Sequence, residues 1–327
     1  MTSRISYVNR NAHRVLVVTN FSAGARPREE SIRGLLMRLK QEGLAAEVIT
    51  DLAVFDTLVT RYQAAGQLRA VVAAGGDGTV AEIVNRTAPD VPVTVYPLGT
   101  ANLLAGYVQL SNDPAALART LVEGATLRLD AGRANGRIFL LMAGCGFDAD
   151  VVERLHRRRD GRNITYWTWA KPIWESVRSY AYPDLRVTCE LASGDELTAF
   201  DYRARWVFAV NLPCYAGGLE VAPEATGTDG LLNMATFGNG SFWHALRYVG
   251  LVALGWHRNL SDYRAALVTR VHIESSDPVP YQLDGDPGGL LPLDIEILPE
   301  RFTLMAPAAR LAALDTSRAP LQAEALS

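Results

Sequence analysis

The chain has 327 residues, 49% of them apolar, and sets 32 lysines and arginines against 35 aspartates and glutamates for a formal charge of −3. At about 150 residues per domain this is room for two cores, and the near-neutral balance excludes the strongly basic face that nucleic-acid proteins carry, so no nucleic-acid partner is expected. Only Lys40 and Lys171 are lysines and neither follows a glycine-rich loop, which rules out a G-x-x-x-x-G-K-[ST] phosphate loop.

Residues 1–14 are polar and lack the apolar stretch of a secretory signal. From there to about residue 130, strand and helix patterns alternate. Val15 to Val18 is a short β-branched run, and Glu29 to Leu39 sets Ile32, Leu35, Leu36 and Leu39 on one helical face. Ala46 to Thr50 predicts a strand, Ala53 to Ala65 a helix, and Ala70 to Ala74 a buried strand followed by a glycine turn and a helix from Thr79. Val93 to Tyr96 begins the same sequence again. Such β-α repeats predict a mostly parallel sheet with helices on both faces and ligands at the carboxyl ends of its strands.

Beyond about residue 180 the period changes to two. Leu185, Val187, Cys189 and Leu191 alternate with Arg186, Thr188 and Glu190, and Ser193-Gly194-Asp195 supplies a turn. Trp206 to Val210, Val271 to Ile273 and Asp294 to Leu298 extend the pattern, which predicts an antiparallel sandwich. Ser241 to Trp256, with Phe242, Trp243, Leu246, Val249 and Val252, predicts an amphipathic helix with its apolar side against the core. No run reaches the ~18 apolar residues of a membrane span. The expected address is therefore the cytoplasm, with any membrane contact peripheral. Cys145, Cys189 and Cys214 are odd in number and far apart, and so read as reduced packing residues.

Gly75-Gly76-Asp77-Gly78-Thr79, with Glu82 and Asn85 behind it, is the most informative stretch. Strand, glycine turn and helix N-terminus together make a phosphate cradle. A carboxylate such as Asp77 beside phosphates needs a divalent cation or a proton to manage. Asp77 as a simple N-cap is the plainer alternative, but a cap does not need three flanking glycines. Gly76, Gly78 and Ala81 fit G-x-G-x-x-A, yet the turn follows the third strand rather than the first, and no acidic residue ends the next strand. Pro97-Leu98-Gly99-Thr100-Ala101-Asn102 repeats the turn one unit later and predicts the opposite wall of one site. Asn20-Phe21-Ser22-Ala23-Gly24 lacks the first glycine of a serine-hydrolase elbow.

These two turns, with Gly144-Cys145-Gly146-Phe147-Asp148-Ala149, Gly217-Gly218, Ala222-Pro223-Glu224-Ala225, Asp229-Gly230-Leu231-Leu232 and Leu283-Asp284-Gly285-Asp286-Pro287, resemble the diacylglycerol kinase catalytic domain family, above all its bacterial lipid kinases. NAD kinases and phosphofructokinases share only the G-G-D-G core. The resemblance, which extends from about Arg14 to Pro307, implies an NAD-kinase-like α/β domain over residues 1–130, to which residues 300–327 return. It also implies a β-sandwich lipid-substrate domain over 131–299, with the active site between the two. It implies transfer of the ATP γ-phosphoryl group to a lipid hydroxyl, chemistry that asks for positioning and charge neutralisation more than for covalent catalysis.

By the same resemblance, ATP would meet Gly75, Gly76, Asp77, Gly78, Thr79, Val80, Ala81, Glu82, Thr50, Thr100 and Asn102, together with Asn20 and Gly24 of a turn in which Phe21 and Ala23 depart from the family's N-P-x-S-G. Mg2+ would sit on the Asp229 carboxylate and the backbone carbonyls of Thr226 and Leu231. Asp286 would accept the hydroxyl proton where the family has glutamate, with Asp284 and Asp77 as the other candidates, and Asp150 stands where sphingosine kinases meet the lipid head group. Arg157 to Arg159 and the tryptophans from Trp167 to Trp174 read equally as a membrane-facing surface or as a helix packed at the domain junction. The rival functions are a small-metabolite kinase of the NAD type and an inactive nucleotide or lipid sensor. The acceptor lipid and the oligomeric state, a homodimer included, are left open.

Overall fold

The computed structural model describes residues 4–19, 25–157, 173–176, 178–191, 199–215 and 219–316. After a short β1 (Ser6–Tyr7), the first unit runs β2 (Arg14–Val18), α1 (Ala25–Gln41), β3 (Ala45–Ile49), α2 (Leu52–Ala64), β4 (Leu68–Gly75), α3 (Asp77–Arg86), β5 (Pro92–Pro97), α4 (Leu103–Tyr107) and α5 (Pro114–Glu123). Strands β3, β2, β4 and β5 lie side by side and all parallel. Alternate residues of each strand feed opposite layers. Val15, Val17, Ala70, Val72 and Ala74 pack with Ile32, Leu35 and Leu39 of α1 and Leu117 and Leu121 of α5. Leu16, Val18, Val71 and Ala73 pack with Phe55 and Val59 of α2 and Val80, Ile83 and Val84 of α3. Covering both faces is why these strands read as unbroken apolar runs.

Local signals set the helix ends. Asp51 accepts from the Ala53 amide (2.8 Å) at the start of α2, and Asp113 accepts from Ala115 and Ala116 ahead of α5, whose first residue is Pro114. Chain order reverses at β2: the first crossover leads to β3 on one side and the second to β4 on the other. In open parallel sheets, ligands bind outside the carboxyl ends of the strands at such a switch point.

The second unit comprises β6 (Ala125–Ala134), β7 (Arg137–Phe139), β8 (Met142–Gly146), α6 (Phe147–Arg157), β9 (Leu185–Leu191), β10 (Ala199–Ala204), β11 (Trp206–Val210), β12 (Leu232–Phe237), α7 (Phe242–Ala253), β13 (Tyr263–Glu274), β14 (Pro280–Leu283), β15 (Asp286–Leu290), β16 (Leu293–Met305) and α8 (Ala308–Thr316). Pairing is antiparallel along β15-β14-β8-β11-β12-β13. Its inner residues, among them Val187, Cys189, Val207, Met234, Val271, Leu283 and Ile295, form a second core. The expected fold class, a parallel α/β unit joined to an antiparallel sandwich, is the one observed. Strand β16 links the two: Leu293 to Glu296 pair with β13, and after a bulge Thr303 and Leu304 run parallel to Pro92 and Val93 of β5.

One expectation is overturned in part. Helix α7 buries only Ala245 and Tyr248 fully; of the apolar side predicted to face the core, Phe242 and Val252 pack against it, but Trp243, 75% exposed, Leu246 and Val249 are turned to solvent. Tyr248 explains the rotation, because its ring fits against Phe237 and Trp206 while its hydroxyl donates to Asp262. All three cysteines are free thiols, Cys145 and Cys189 buried and Cys214 half-buried. Among the described residues no helix is long and apolar enough to cross a membrane.

Candidate active site

The two glycine turns start level, because Gly75 is in register with Pro97 and the Leu98 amide donates to the Gly75 carbonyl (3.0 Å). They then touch backbone to backbone. A Cβ on Gly99 would lie 2.5 Å from the Cα of Gly76, and one on Gly75 would collide with the Thr79 side chain. Only glycine permits this approach.

Polar residues of both turns fasten the backbone. Asn102, at φ +50°, accepts from the Gly99 amide (3.0 Å) and donates to the Gly99 carbonyl (2.8 Å). Asp77 reaches from the first turn to the second, its two carboxylate oxygens accepting from the Leu103 and Leu104 amides (2.9 and 3.0 Å) at the start of α4. Burial raises its pKa against the pull of those amides, and the nearby charge of Asp286 adds to the rise. Asn85 exchanges hydrogen bonds with Ile138 of β7 in both directions, tying α3 to the second unit.

The other expected nucleotide contacts are spread more widely. Thr50 and Thr100 are exposed directly behind β3 and β5. The Val80 and Ala81 side chains are buried, so these residues can offer a ligand only backbone, and the Thr79 and Val80 amides already point to the Gly76 carbonyl. Glu82 is exposed and paired with Arg86, which also reaches Asp56. Asn20 and Gly24 lie outside the described residues, as do Arg158, Arg159 and Trp167 of the proposed membrane face and the Gly217-Gly218 turn.

Opposite the glycine turns stands the hairpin from β14 to β15. Asp284 sits at φ +52° and is half-buried; its carboxylate accepts from the amides of Leu140, Leu141 and Met142 (2.7, 2.8 and 3.0 Å). Burial lifts its pKa to about 6 although the three amides favour the ionised form. Two residues on, Asp286 is placed quite differently. Its Oδ2 lies 3.0 Å from the position a Cβ would take on Gly78, so this carboxylate of the sandwich rests directly on the first glycine turn of the α/β unit. Of the three carboxylates expected to carry the proton, two are braces saturated by backbone amides, and Asp286 is the one left facing the cradle.

Sequence reasoning passed over Asp148. It is buried at the start of α6, accepts from the Tyr215 hydroxyl and from Gln282 Nε2 (3.0 Å), and burial raises its pKa to about 7. Gln282 in turn accepts from the Gly285 amide (2.7 Å), so the network ends at the turn that carries Asp286. The available signal was Gly144, where a Cβ would lie 2.5 Å from Asp148 Oδ2. Arg28 was also missed. From α1 its guanidinium donates to the Leu98 carbonyl (3.2 Å) at the rim of the second turn, a cation at the cradle of a lysine-poor chain.

Asp150, the expected lipid contact, is paired with Arg154 (2.6 Å) one helical turn away. Asp229 accepts from the Leu231 amide (3.0 Å), and its charge bears on Asp130 of β6, which accepts from the Gly230 and Glu300 amides. Thr226 and Thr228 in the same loop each keep a buried hydroxyl without a hydrogen-bond partner among the described residues. One carboxylate amid hydroxyl and carbonyl oxygens is a donor set that fits a hard cation such as Mg2+. Among the described residues no group of three or more histidines, cysteines or carboxylates offers a softer or more acidic alternative.

Residues 14–134 match the model of the diacylglycerol kinase catalytic domain, and residues 142–306 match that of the YegS C-terminal NAD kinase beta sandwich-like domain. The chain belongs to the diacylglycerol kinase family. It is a lipid kinase, a phosphotransferase acting on a lipid hydroxyl. Curated relatives include the diacylglycerol kinase of Bacillus subtilis, 24% identical over 92% of this chain and 99% of that protein, and the diacylglycerol kinase of Mycobacterium tuberculosis, 28% identical over 90% and 95%. A crystal structure of a diacylglycerol kinase from Bacillus anthracis covers 91% of this chain and 98% of its own, with 22% identity and a TM-score of 0.67, which supports the fold.

Proposed function

We propose that this lipid kinase binds ATP across the two glycine turns and passes its γ-phosphoryl group to the primary hydroxyl of a diacylglycerol-like lipid. The observation that carries the assignment of roles is the contact of Asp286 with Gly78, which sets a carboxylate of the sandwich against the turn where the phosphates would lie. The names of the curated relatives support diacylglycerol as the acceptor.

Each residue then has a physical task. Backbone amides of Gly76, Asp77 and Gly78 face the triphosphate, with Thr79, Thr100 and Thr50 at its margins, and Arg28 lends a positive charge to the rim. Asp77, Asn102 and Asn85 hold the turns in contact, so that the cradle is shaped before nucleotide arrives. Asp286 takes the proton from the acceptor hydroxyl as the oxygen attacks. A carboxylate in that position contributes about 10²- to 10⁴-fold to such a step. Asp284 holds the hairpin and is a positioning residue. Asp150, with its charge shared by Arg154, lies on the acceptor side.

The Asp229 carboxylate and the carbonyls of Thr226 and Leu231 would hold Mg2+, where the ion would neutralise charge and stiffen the loop that packs on Asp130. The test is to incubate the protein with γ-labelled ATP, magnesium and a total bacterial lipid extract, with NAD in a parallel reaction. Labelled lipid is expected. Label appearing in NADP alone would sink the proposal in favour of a metabolite kinase, and bound ATP with no product in either arm would identify a sensor.

A further inference from the structure

The outward face of α7 has a composition that water alone does not explain. Trp243 is 75% exposed, Leu254 and Trp256 61% each, and Leu246 and Val249 more than 40%. Beside them the helical segment at 173–176 adds Trp174, 53% exposed, whose ring meets Phe242 edge-on at 6.1 Å, and the exposed Ile173. Soluble monomers rarely expose a contiguous apolar area this rich in large side chains unless something docks on it.

Charge narrows the occupant. From Gly238 to Leu260 the chain holds no aspartate or glutamate, and Arg247 lies exposed on α7 within the apolar face, whereas Arg258 beyond the helix pairs with Glu224 (3.5 Å). The Arg178 guanidinium stands 5.7 Å from the Trp174 ring centroid at the edge of the same patch. Tryptophans mark both ends of the helix, with Leu246, Val249 and Leu254 between them. Indole rings favour head-group depth, aliphatic side chains enter the acyl boundary, and an exposed arginine with no acid on its own helix, as Arg247 is on α7, is drawn to anionic lipid.

We infer that the exposed face of α7, with Trp174 beside it, is the surface by which this protein lies on a bilayer carrying anionic head groups. This deepens the lipid-kinase proposal and takes its biological sense from it, but the binding itself is measurable without ATP or turnover. A helix lying in the interface would present the sandwich side of the enzyme to the membrane in which its acceptor resides.

The experiment is sedimentation of the full chain with vesicles of phosphatidylcholine alone or of phosphatidylcholine mixed with phosphatidylglycerol. The wild type is expected to partition onto the mixed vesicles, with its tryptophan emission quenched by brominated acyl chains. The double variant Trp243→Glu/Leu246→Glu, altered only at exposed positions, should lose about 100-fold in partitioning, and Arg247→Gln about fivefold, on the mixed vesicles only. The double variant should phosphorylate a short-chain, monomerically dispersed diacylglycerol at the wild-type rate and vesicle-embedded diacylglycerol far more slowly. Equal vesicle binding by the double variant and the wild type would overturn the inference. So would a wild type that ignores vesicles and forms a dimer that the double variant abolishes. Vesicle binding that depends on α7, with no labelled lipid in any arm, would uphold the docking surface while refuting the kinase proposal.

Discussion

The Gly75–Thr79 turn and the Asp284–Asp286 hairpin face each other across the cleft, and they use their carboxylates in different ways. In the glycine turn the single acid, Asp77, spends both oxygens on the Leu103 and Leu104 amides and so fixes one turn to the other. The hairpin has two acids and divides the work. Asp284 is consumed by three amides, while Asp286, held one residue beyond Gly285, rests against Gly78 with no hydrogen-bond donor on its carboxylate among the described residues. Most polar residues of these motifs therefore shape backbone, and the proposed proton acceptor is the one carboxylate left without a structural task.

The strongest way to break that division is to neutralise each acid in turn. Asp286→Asn should lower kcat by about 10²- to 10⁴-fold with the melting temperature and ATP affinity nearly unchanged; titration calorimetry beside steady-state rates checks both. If turnover survives, the residue is not the base. Next comes the contact between the turns. Gly99→Ala puts a methyl 2.5 Å from the Gly76 Cα, and the forced separation should cost about 100-fold in turnover, together with weaker ATP binding.

Asp284→Ala should act on stability instead. It strands three buried amides, each worth ~1–3 kcal/mol, so urea unfolding should register a loss of at least ~3 kcal/mol. A mutant that kept its stability but lost activity would erase the contrast between the two hairpin acids.

Asp148 sharpens the contrast through pH. Its folded pKa of about 7 lies above the ~4 of an unfolded aspartate, so the folded state holds the proton more tightly. The associated stability is fully present below pH ~4 and is lost as pH rises toward 7; Asp284, at about 6, contributes in the same direction over a narrower window. Melting temperature measured against pH should therefore decline across this range, and Asp148→Asn, neutral throughout, should flatten the decline. The smallest effect belongs to Glu82→Gln. An exposed pair such as Glu82 with Arg86 adds little, so turnover and melting temperature should both stay within experimental error.

A good part of the fold was legible in the chain. Val15 to Val18 and Ala70 to Ala74 are unbroken apolar runs because helices cover both faces, and Leu185 to Leu191 alternates because one face meets a core. The expected helix spans end two to four residues inside α1 and within one residue of α2, where apolar spacing and the Asp51 cap agree. The amphipathic Ser241–Trp256 pattern, by contrast, gave the right helix but only part of its orientation, since Phe242 and Val252 meet the core while Trp243, Leu246 and Val249 do not. Periodicity shows that one side is apolar but not whether that side meets protein or something else; the fit of Tyr248 between Phe237, Trp206 and Asp262 decided it.

For the site, sequence by itself determined which residue types stand at the strand ends: glycines that let two backbones touch, and acids spaced two apart in a hairpin. Those follow from local conformational freedom and from motif spacing, which are properties of neighbours along the chain. Only the tertiary structure decided which acid is a brace and which faces the cradle, why Asp148 matters to a turn 136 residues away in sequence, and that Arg28 reaches the rim. Hydrogen-bond saturation and burial are set by groups distant along the chain, and no local pattern records them.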